Sequence, residues 1–413
     1  MITWDFQRQK SRLLITCAAG VAPILADELR ALGFPVLEVM NLGVFTEGSL
    51  LDCVSLNLQL RTGLRVLYLL QKFRADTPDE LYRGLRRLPW PEVLPVDGYL
   101  SVTSAVSTPS IQDSRFANLK CKDAIVDAMQ LKYGRRPNSG PDRSHSVIFL
   151  HWKQSDASIF IDTSGEPLAK RGYRKMPFKA PMQETLAAAV ILAAGWRGEG
   201  HFVNPMCGSG TLAVEAAMIA LDKAPGLLRT NFGFMHIVGY DSAAYQEIRK
   251  TLRIRARKTM SGRIIATDRD PQAVAAARQN AQTAGVDHLI EFKVCDFRRT
   301  VVPAGGGIIM LNPPYGMRMG EQKQLEGLYG AIGDFFKQSG NGYKGYIFTG
   351  NLALVKKVGL KTSRRITFYN GAVESRLLEY ELYSGSQKKQ IKEDFRLESD
   401  ESSDGSIDLN LRP

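Results

Sequence analysis

The sequence has little cysteine: five residues in 413, at Cys17, Cys53, Cys121, Cys207 and Cys295, with no CxxC pair and no histidine cluster beside them. That scatter excludes a disulfide scaffold and gives no zinc-ligand spacing, so no metal site is expected. Uninterrupted apolar runs of about 18 residues are also missing, which argues against a membrane-spanning helix. The stretch 13–25 follows Lys10 and Arg12 in the manner of a leader, but Gly20 and Pro23 break it and Asp27-Glu28 continue an amphipathic pattern. It reads as a strand followed by a helix, and the cytoplasm is the expected compartment. No internal repeat is visible.

Acidic residues are the other shortage, 42 against 54 Lys and Arg, for a net charge of +12. Seven acidic and two basic residues fall from Glu393 onward, which leaves +17 on the first 392 residues. A field of that sign draws a protein to a polyanion. At 413 residues, 44% hydrophobic and 23% charged, the chain is an ordinary globular sequence too long for one domain.

The first 160 residues alternate short β-rich runs with amphipathic helices, which suits two small α+β units. The spacing predicts strands at 13–17, 36–45, 64–73, 99–106, 146–152 and 158–162, with helices near 24–32, 50–60, 79–88 and 116–133. Gly165, Pro167, Gly172, Pro177 and Pro181 then break the pattern, while Lys170, Arg171, Arg174, Lys175 and Lys179 crowd into ten positions. This is read as a basic linker, either a solvated connection or a direct contact to RNA. From residue 183 helices and strands alternate as in a doubly wound sheet: helix 184–194, strand 201–203, helix 211–220 and, after a long insertion, strand 263–267. Helix 272–284, strands 290–294 and 307–311, helix 325–338, strand 343–348 and runs at 365–369 and 376–383 complete it. The division expected is 1–63, 64–162, a linker at 163–181, a domain at 182–384 and a disordered tail at 385–413.

Between the first strand and helix of the larger domain stands Asn204-Pro205-Met206-Cys207-Gly208-Ser209-Gly210-Thr211. Its glycines let backbone N–H groups approach a ligand, and the helix start favours a carboxylate. It is no phosphate loop, because no Gly-Lys-Ser/Thr follows and Ala213 stands where the dinucleotide fingerprint has its third glycine. The next strand ends in Thr267-Asp268-Arg269-Asp270, a carboxylate where a ribose diol lies in such sheets, with Asp270 before Pro271 serving as a helix cap. The third ends in Cys295-Asp296-Phe297, an acceptor for an adenine amine beside an aromatic wall. Together they outline a site for a nucleoside that carries an amino acid.

The most informative stretch is Asn312-Pro313-Pro314-Tyr315-Gly316 after the fourth strand. Two prolines freeze the backbone, and the Asn side-chain oxygen adds an acceptor to the outward carbonyls. Such acceptors grip the hydrogens of an exocyclic amine and aim its lone pair, while Tyr315 stacks on the base.

These motifs resemble those of class I S-adenosylmethionine-dependent methyltransferases with an N-terminal THUMP domain, most closely the bacterial 23S rRNA guanine-N2 methyltransferases. The likeness rests on further blocks: Asp162-Thr163-Ser164-Gly165-Glu166-Pro167-Leu168, Lys170-Arg171-Gly172-Tyr173-Arg174, Ala180-Pro181 with Glu184-Thr185-Leu186, Glu215-Ala216-Ala217 and Ala224-Pro225-Gly226. Asn280 with Ala284-Gly285, Arg318, Leu328-Tyr329 and Asn370-Gly371 complete the set. The resemblance implies an α/β, Rossmann-like seven-stranded sheet with an antiparallel last strand, preceded by an α+β ferredoxin-like and THUMP RNA-binding region. It also implies S-adenosylmethionine as cofactor, its methionine part on 204–211, its ribose on Asp268, its adenine on Asp296, with Glu184, Thr185, Arg269 and Phe297 beside them. Asn312, Pro313, Pro314 and Tyr315 would receive the target base. The partner implied is RNA, in the form of large-subunit rRNA or an assembly intermediate. Asn204 stands where an aspartate is usual, Met182-Gln183 replaces a commoner Leu-Lys pair, and the second methyltransferase domain fused in some relatives is not expected.

Three other readings are open: a tRNA guanine-N2 methyltransferase, an N6-adenine DNA methyltransferase, and a non-catalytic RNA-binding assembly factor. The basic N-terminal half, without a helix-turn-helix or zinc module, favours RNA over DNA. That half is expected to be removable, leaving a foldable domain that binds cofactor.

Overall fold

A computed structural model describes residues 9–111, 113–176, 181–315 and 322–383. The chain runs through β1 (Ser11–Thr16), α1 (Ala22–Ala31), β2 (Glu38–Met40), β3 (Gly43–Gly48), α2 (Leu50–Gln59), β4 (Arg65–Arg74), α3 (Pro78–Arg86) and α4 (Trp90–Val93). It continues with β5 (Tyr99–Ser107), α5 (Ser114–Tyr133), β6 (Asn138–Ser139), β7 (Ser146–Lys153) and β8 (Asp156–Asp162). The second half contains α6 (Glu184–Ala193), β9 (His201–Pro205), α7 (Thr211–Ala220), α8 (Ser242–Arg255), β10 (Ile264–Asp268), α9 (Pro271–Ala284), β11 (Ile290–Val294) and β12 (Gly307–Leu311). It closes with α10 (Gln322–Ser339), β13 (Tyr343–Thr349), α11 (Leu352–Val355), β14 (Arg364–Asn370) and β15 (Val373–Glu381). Among the described residues no helix is long and apolar enough to cross a membrane.

The first half is built on one continuous eight-stranded sheet, order β2-β3-β1-β4-β8-β7-β5-β6. β4 pairs antiparallel with β1 on one edge and β8 on the other, so the two small α+β units expected in the first 160 residues are joined through one sheet. Lateral partners leave no trace in a strand's own alternation, which reports only its two faces. The run expected as one strand over 36–45 is a hairpin instead, β2 turning at Asn41-Leu42 into β3. Asparagine tolerates such a turn, and the apolar residues around it conceal the break. Local signals elsewhere work as sequence rules predict. Ser49 and Asp52 form a reciprocal capping box at the start of α2, and Gly134 ends α5 in the left-handed conformation at φ +66.

Residues 162–176 are a packed strap, not a solvated linker. Ser164 Oγ donates to Asn57 Oδ1 at 2.6 Å, and Asn57 Nδ2 donates to Thr163 Oγ1 at 2.8 Å, all inside the protein. Arg229 donates to the carbonyls of Ser164, Glu166 and Pro167 from the other side. Gly226 of the Ala-Pro-Gly block is required by approach: a Cβ there would sit 2.5 Å from Leu58 Cα in α2.

The second sheet has seven strands in the order β11-β10-β9-β12-β13-β15-β14, parallel from β11 to β13, with β15 antiparallel to both neighbours. This is the class I methyltransferase fold. All ten residues of α7 are buried, as are eight of α6. Helices apolar on every side need cover on every side. The N-terminal half supplies part of it, α1 packing against α6, so removal of residues 1–160 would bare part of that apolar surface.

Candidate active site

In a parallel sheet the loops leaving the strand ends converge on one edge, and ligands bind there. β9 ends at Pro205, and the chain turns through Met206 at φ +57, Gly208 at +54 and Gly210 at +80 into α7. Met206 holds a conformation unfavourable for a residue with a side chain, the kind of strain found at ligand sites. Gly210 is needed twice over: a Cβ there would also lie 2.8 Å from the Ala277 Cβ of α9. Burial pushes the Cys207 thiol well up, so it stays a neutral thiol and not a nucleophile.

Asp268, at the end of β10, lies under this turn. Its Oδ2 accepts the Gly208 N–H at 3.0 Å and its Oδ1 accepts that of Asp270, also at 3.0 Å. Asp270 caps α9 as expected, accepting from Gln272 N. Asp296 accepts three bonds from Arg298, through the backbone N–H, Nε and Nη2, and these hold its carboxyl down at about 2. It therefore stays ionised across any working pH. Phe297 is buried edge-on against Phe335 of α10 at 5.9 Å.

A cavity of about 580 Å³ joins these pieces, lined by Met206, Asp268, Arg269, Asp296, Phe297 and Pro314 among others. Its far wall is α10, through Leu325, Leu328 and Ala331, a contribution the sequence reading missed although it singled out Leu328-Tyr329. Glu184 and Thr185 open α6, which runs back to β9 and so begins at this end of the sheet; both are buried. Three buried side-chain oxygens, Thr185 Oγ1, Asn204 Oδ1 and Asn312 Oδ1, have no hydrogen-bond partner among the described residues. Buried polar atoms are normally satisfied, and Asn204 near the end of β9 and Asn312 just past the end of β12 leave acceptors that a polar ligand can use. Asn204 is otherwise committed, its Nδ2 donating to Met310 O at 2.9 Å and tying β9 to β12.

Asn280 also escaped the sequence reading as a functional residue. Buried in α9, it accepts the N–H groups of Lys175 and Met176 at 3.0 and 3.1 Å and donates to the carbonyls of Met176 and Ser209, both at 3.1 Å. One side chain thus stitches the strap to the glycine-rich turn. The available signal was an asparagine on the alanine-rich buried face of an amphipathic helix.

The basic cluster does not behave as one surface. Arg171 is 2% exposed. It donates to the carbonyls of Leu60, Leu168 and Arg61, and its Nε lies 3.5 Å from Glu215 of α7. The expectation that Arg171 contacts RNA is corrected: a buried acid inside α7 claims it. Arg174 is likewise turned inward, its Nε on Glu184 at 2.9 Å and its Nη2 on Met182 O at 2.8 Å. Lys170 and Lys175 are exposed, Lys170 paired with Glu166. Lys179, Gly316, Arg318 and the tail from 385 lie outside the described residues.

Residues 171–379 match the family described as RMKL-like methyltransferase domain, residues 12–67 an RlmL ferredoxin-like domain, and residues 75–162 a THUMP domain. The chain belongs to this methyltransferase family. A ribosomal RNA large subunit methyltransferase K/L of Syntrophotalea carbinolica is 38% identical over 90% of the chain, though the chain spans only 53% of that relative. A candidate RNA methyltransferase of Synechocystis is 33% identical and matched over 96% of its length. The crystal structure of a candidate methyltransferase complexed with SAH superposes with a TM-score of 0.82 at 30% identity, covering 92% of this chain and 99% of that one.

Proposed function

We propose that this protein transfers a methyl group from S-adenosylmethionine to the exocyclic N2 amine of a guanine in RNA, and that the RNA is large-subunit rRNA, met in the cytoplasm. The observation that carries the reading is Asn312 Oδ1, a buried acceptor with no partner among the described residues, in the proline loop beside a cavity that also holds Asp268 and Asp296. The family membership, the THUMP domain and the names of the K/L relatives support RNA over DNA.

Bound S-adenosylmethionine supplies an electrophilic methyl group, so the protein's task is positioning. Asp268 has lone pairs left for a ribose diol after holding Gly208 and Asp270, and the glycine-rich turn with Thr185 and Asn204 offers polar groups to the amino-acid part. Asp296 and Phe297 frame the adenine. Asn312 accepts a hydrogen from the target amine, which keeps the nitrogen lone pair directed away from the loop. Pro313 and Pro314 hold that acceptor still, and Tyr315 stacks on the base. Lys170 and Lys175, with Lys179, meet phosphates.

Two expected results follow from this division of roles. Asp268→Ala should weaken S-adenosylmethionine binding by about 1.5–3 kcal/mol, since a charged acceptor is lost from both the ligand and the turn that cradles it. Calorimetric titration of the folded variant measures this, and an unchanged affinity removes Asp268 from the site. Methyl transfer from labelled cofactor to large-subunit rRNA taken from cells lacking the gene should be efficient and should fall steeply with added salt, as phosphate contacts require. Cofactor binding with no transfer to any RNA would instead favour the non-catalytic assembly factor.

A further inference from the structure

The block Asn370-Gly371 has no part in the roles above, yet it lies against the proline loop. Asn370 ends β14 opposite Val373, and the two-residue connection begins with Gly371 at φ +63. A Cβ on Gly371 would meet nothing within 4 Å, so glycine is there for its left-handed backbone, which two-residue hairpins favour at that position. The turn presents the Asn370 side chain to the catalytic loop, where its Nδ2 donates to the Tyr315 hydroxyl at 2.9 Å.

Tyr315 is held at two further points. Asn351 Nδ2 donates to the Tyr315 carbonyl at 3.2 Å, and a Cβ on Gly350 would come within 3.2 Å of ring carbons Cδ2 and Cε2, so the ring lies directly on that backbone. Asn351 is itself fixed, its N–H donating to Thr349 Oγ1 at 3.1 Å and its Oδ1 accepting from Ala353 and Leu354 at the start of α11. Thr349 in turn shares a 2.7 Å hydrogen bond with the buried Tyr329 hydroxyl of α10. The three restraints do different things. The carbonyl bond fixes the backbone of residue 315, the Gly350 contact sets the plane of the ring, and the Asn370 bond at the far end stops the ring swinging about its Cα–Cβ bond.

We infer that Asn370 is a positioning residue for methyl transfer, acting through the Tyr315 hydroxyl to hold the ring in the pose that receives the target base. The inference rests on the reading of Tyr315 as the stacking residue. A ring free to leave that rotamer is productive only part of the time, and the loss appears in the transfer step with RNA, not in cofactor binding.

The test is steady-state kinetics of the full chain at saturating S-adenosylmethionine, on large-subunit rRNA from cells lacking the gene. Asn370→Ala should lower kcat/KM for RNA about 3- to 10-fold, the worth of one neutral hydrogen bond, with cofactor affinity unchanged and the urea midpoint lowered by no more than the loss of that one bond. Tyr315→Phe keeps the ring and loses the hydroxyl. It should cost about the same, and the double variant no more than either single one, because both remove one interaction. Asn370→Asp, whose carboxylate accepts from the hydroxyl, should restore most of the rate. Additive losses in the double variant, or unaltered kinetics for Asn370→Ala while Tyr315→Ala is crippled, overturn the positioning role. Unaltered kinetics for Tyr315→Ala would instead overturn the stacking reading on which it rests.

Discussion

Asn312→Ala is expected to lower turnover about 100- to 1,000-fold, the range found when one preorganised polar contact at a reacting centre is deleted. Affinity for S-adenosylmethionine should scarcely change. The reason lies in how the Asn312 oxygen is left: buried, without a partner among the described residues, and on a loop whose two prolines prevent it from turning aside. Leaving a buried acceptor unpaired is unfavourable, and a site keeps one where the substrate supplies the donor. Equilibrium dialysis with labelled cofactor, set beside single-turnover methylation, separates the two effects. Equal loss of binding and turnover would make Asn312 a structural residue.

Arg171→Ala should destabilise the protein by about 3–5 kcal/mol, because it takes the paired cation from the Glu215 carboxyl inside α7, which keeps the Tyr173 hydroxyl as donor, and leaves three backbone carbonyls without a donor. Burial already raises the Glu215 carboxyl above its ordinary 4.5, and the Arg171 charge opposes the shift. Without that charge the folded state holds a proton that the unfolded chain releases, so stability falls as pH rises above 4.5. The deficit of the variant should therefore be larger at pH 8 than at pH 5. Arg171→Ala with Glu215→Leu should recover part of the loss and abolish the pH dependence, while the unpaired carbonyls keep the rest. Urea unfolding at the two pH values measures this, and a loss under about 1 kcal/mol in Arg171→Ala would return Arg171 to the RNA-facing surface. Replacing Lys170 and Lys175, both exposed, should leave stability alone and reduce only the salt dependence of RNA binding.

The contrast between Arg171 and its neighbours indicates what a sequence reveals and what it hides. Strands β11 and β12 lie where their apolar runs place them, and the turn after β9 and the proline loop are where strand ends and punctuation locate them. Those signals are local, carried by a few consecutive residues. Arg171 sits in an equally local cluster of charge, but its fate is decided by Glu215, which is 44 positions away and is the one charged residue of its helix. The joining of both N-terminal portions through β4 is hidden for the same reason. So are the stitch made by Asn280 and the hold of Asn370 on Tyr315, since each consists of a contact between distant segments. Helix α8 is a different case, because Asp241 before Ser242 and the apolar residues Tyr245, Ile248 and Leu252 are a legible cap and stripe within the long insertion.

The most direct test of the central claim is a nucleoside map of rRNA and tRNA from cells with the gene, without it, and complemented with Asn312→Ala. The account predicts that one N2-methylguanosine of large-subunit rRNA disappears with the gene, returns with the wild-type copy and stays absent with Asn312→Ala. An unchanged large-subunit map, with a modification lost from tRNA or from DNA instead, would contradict it.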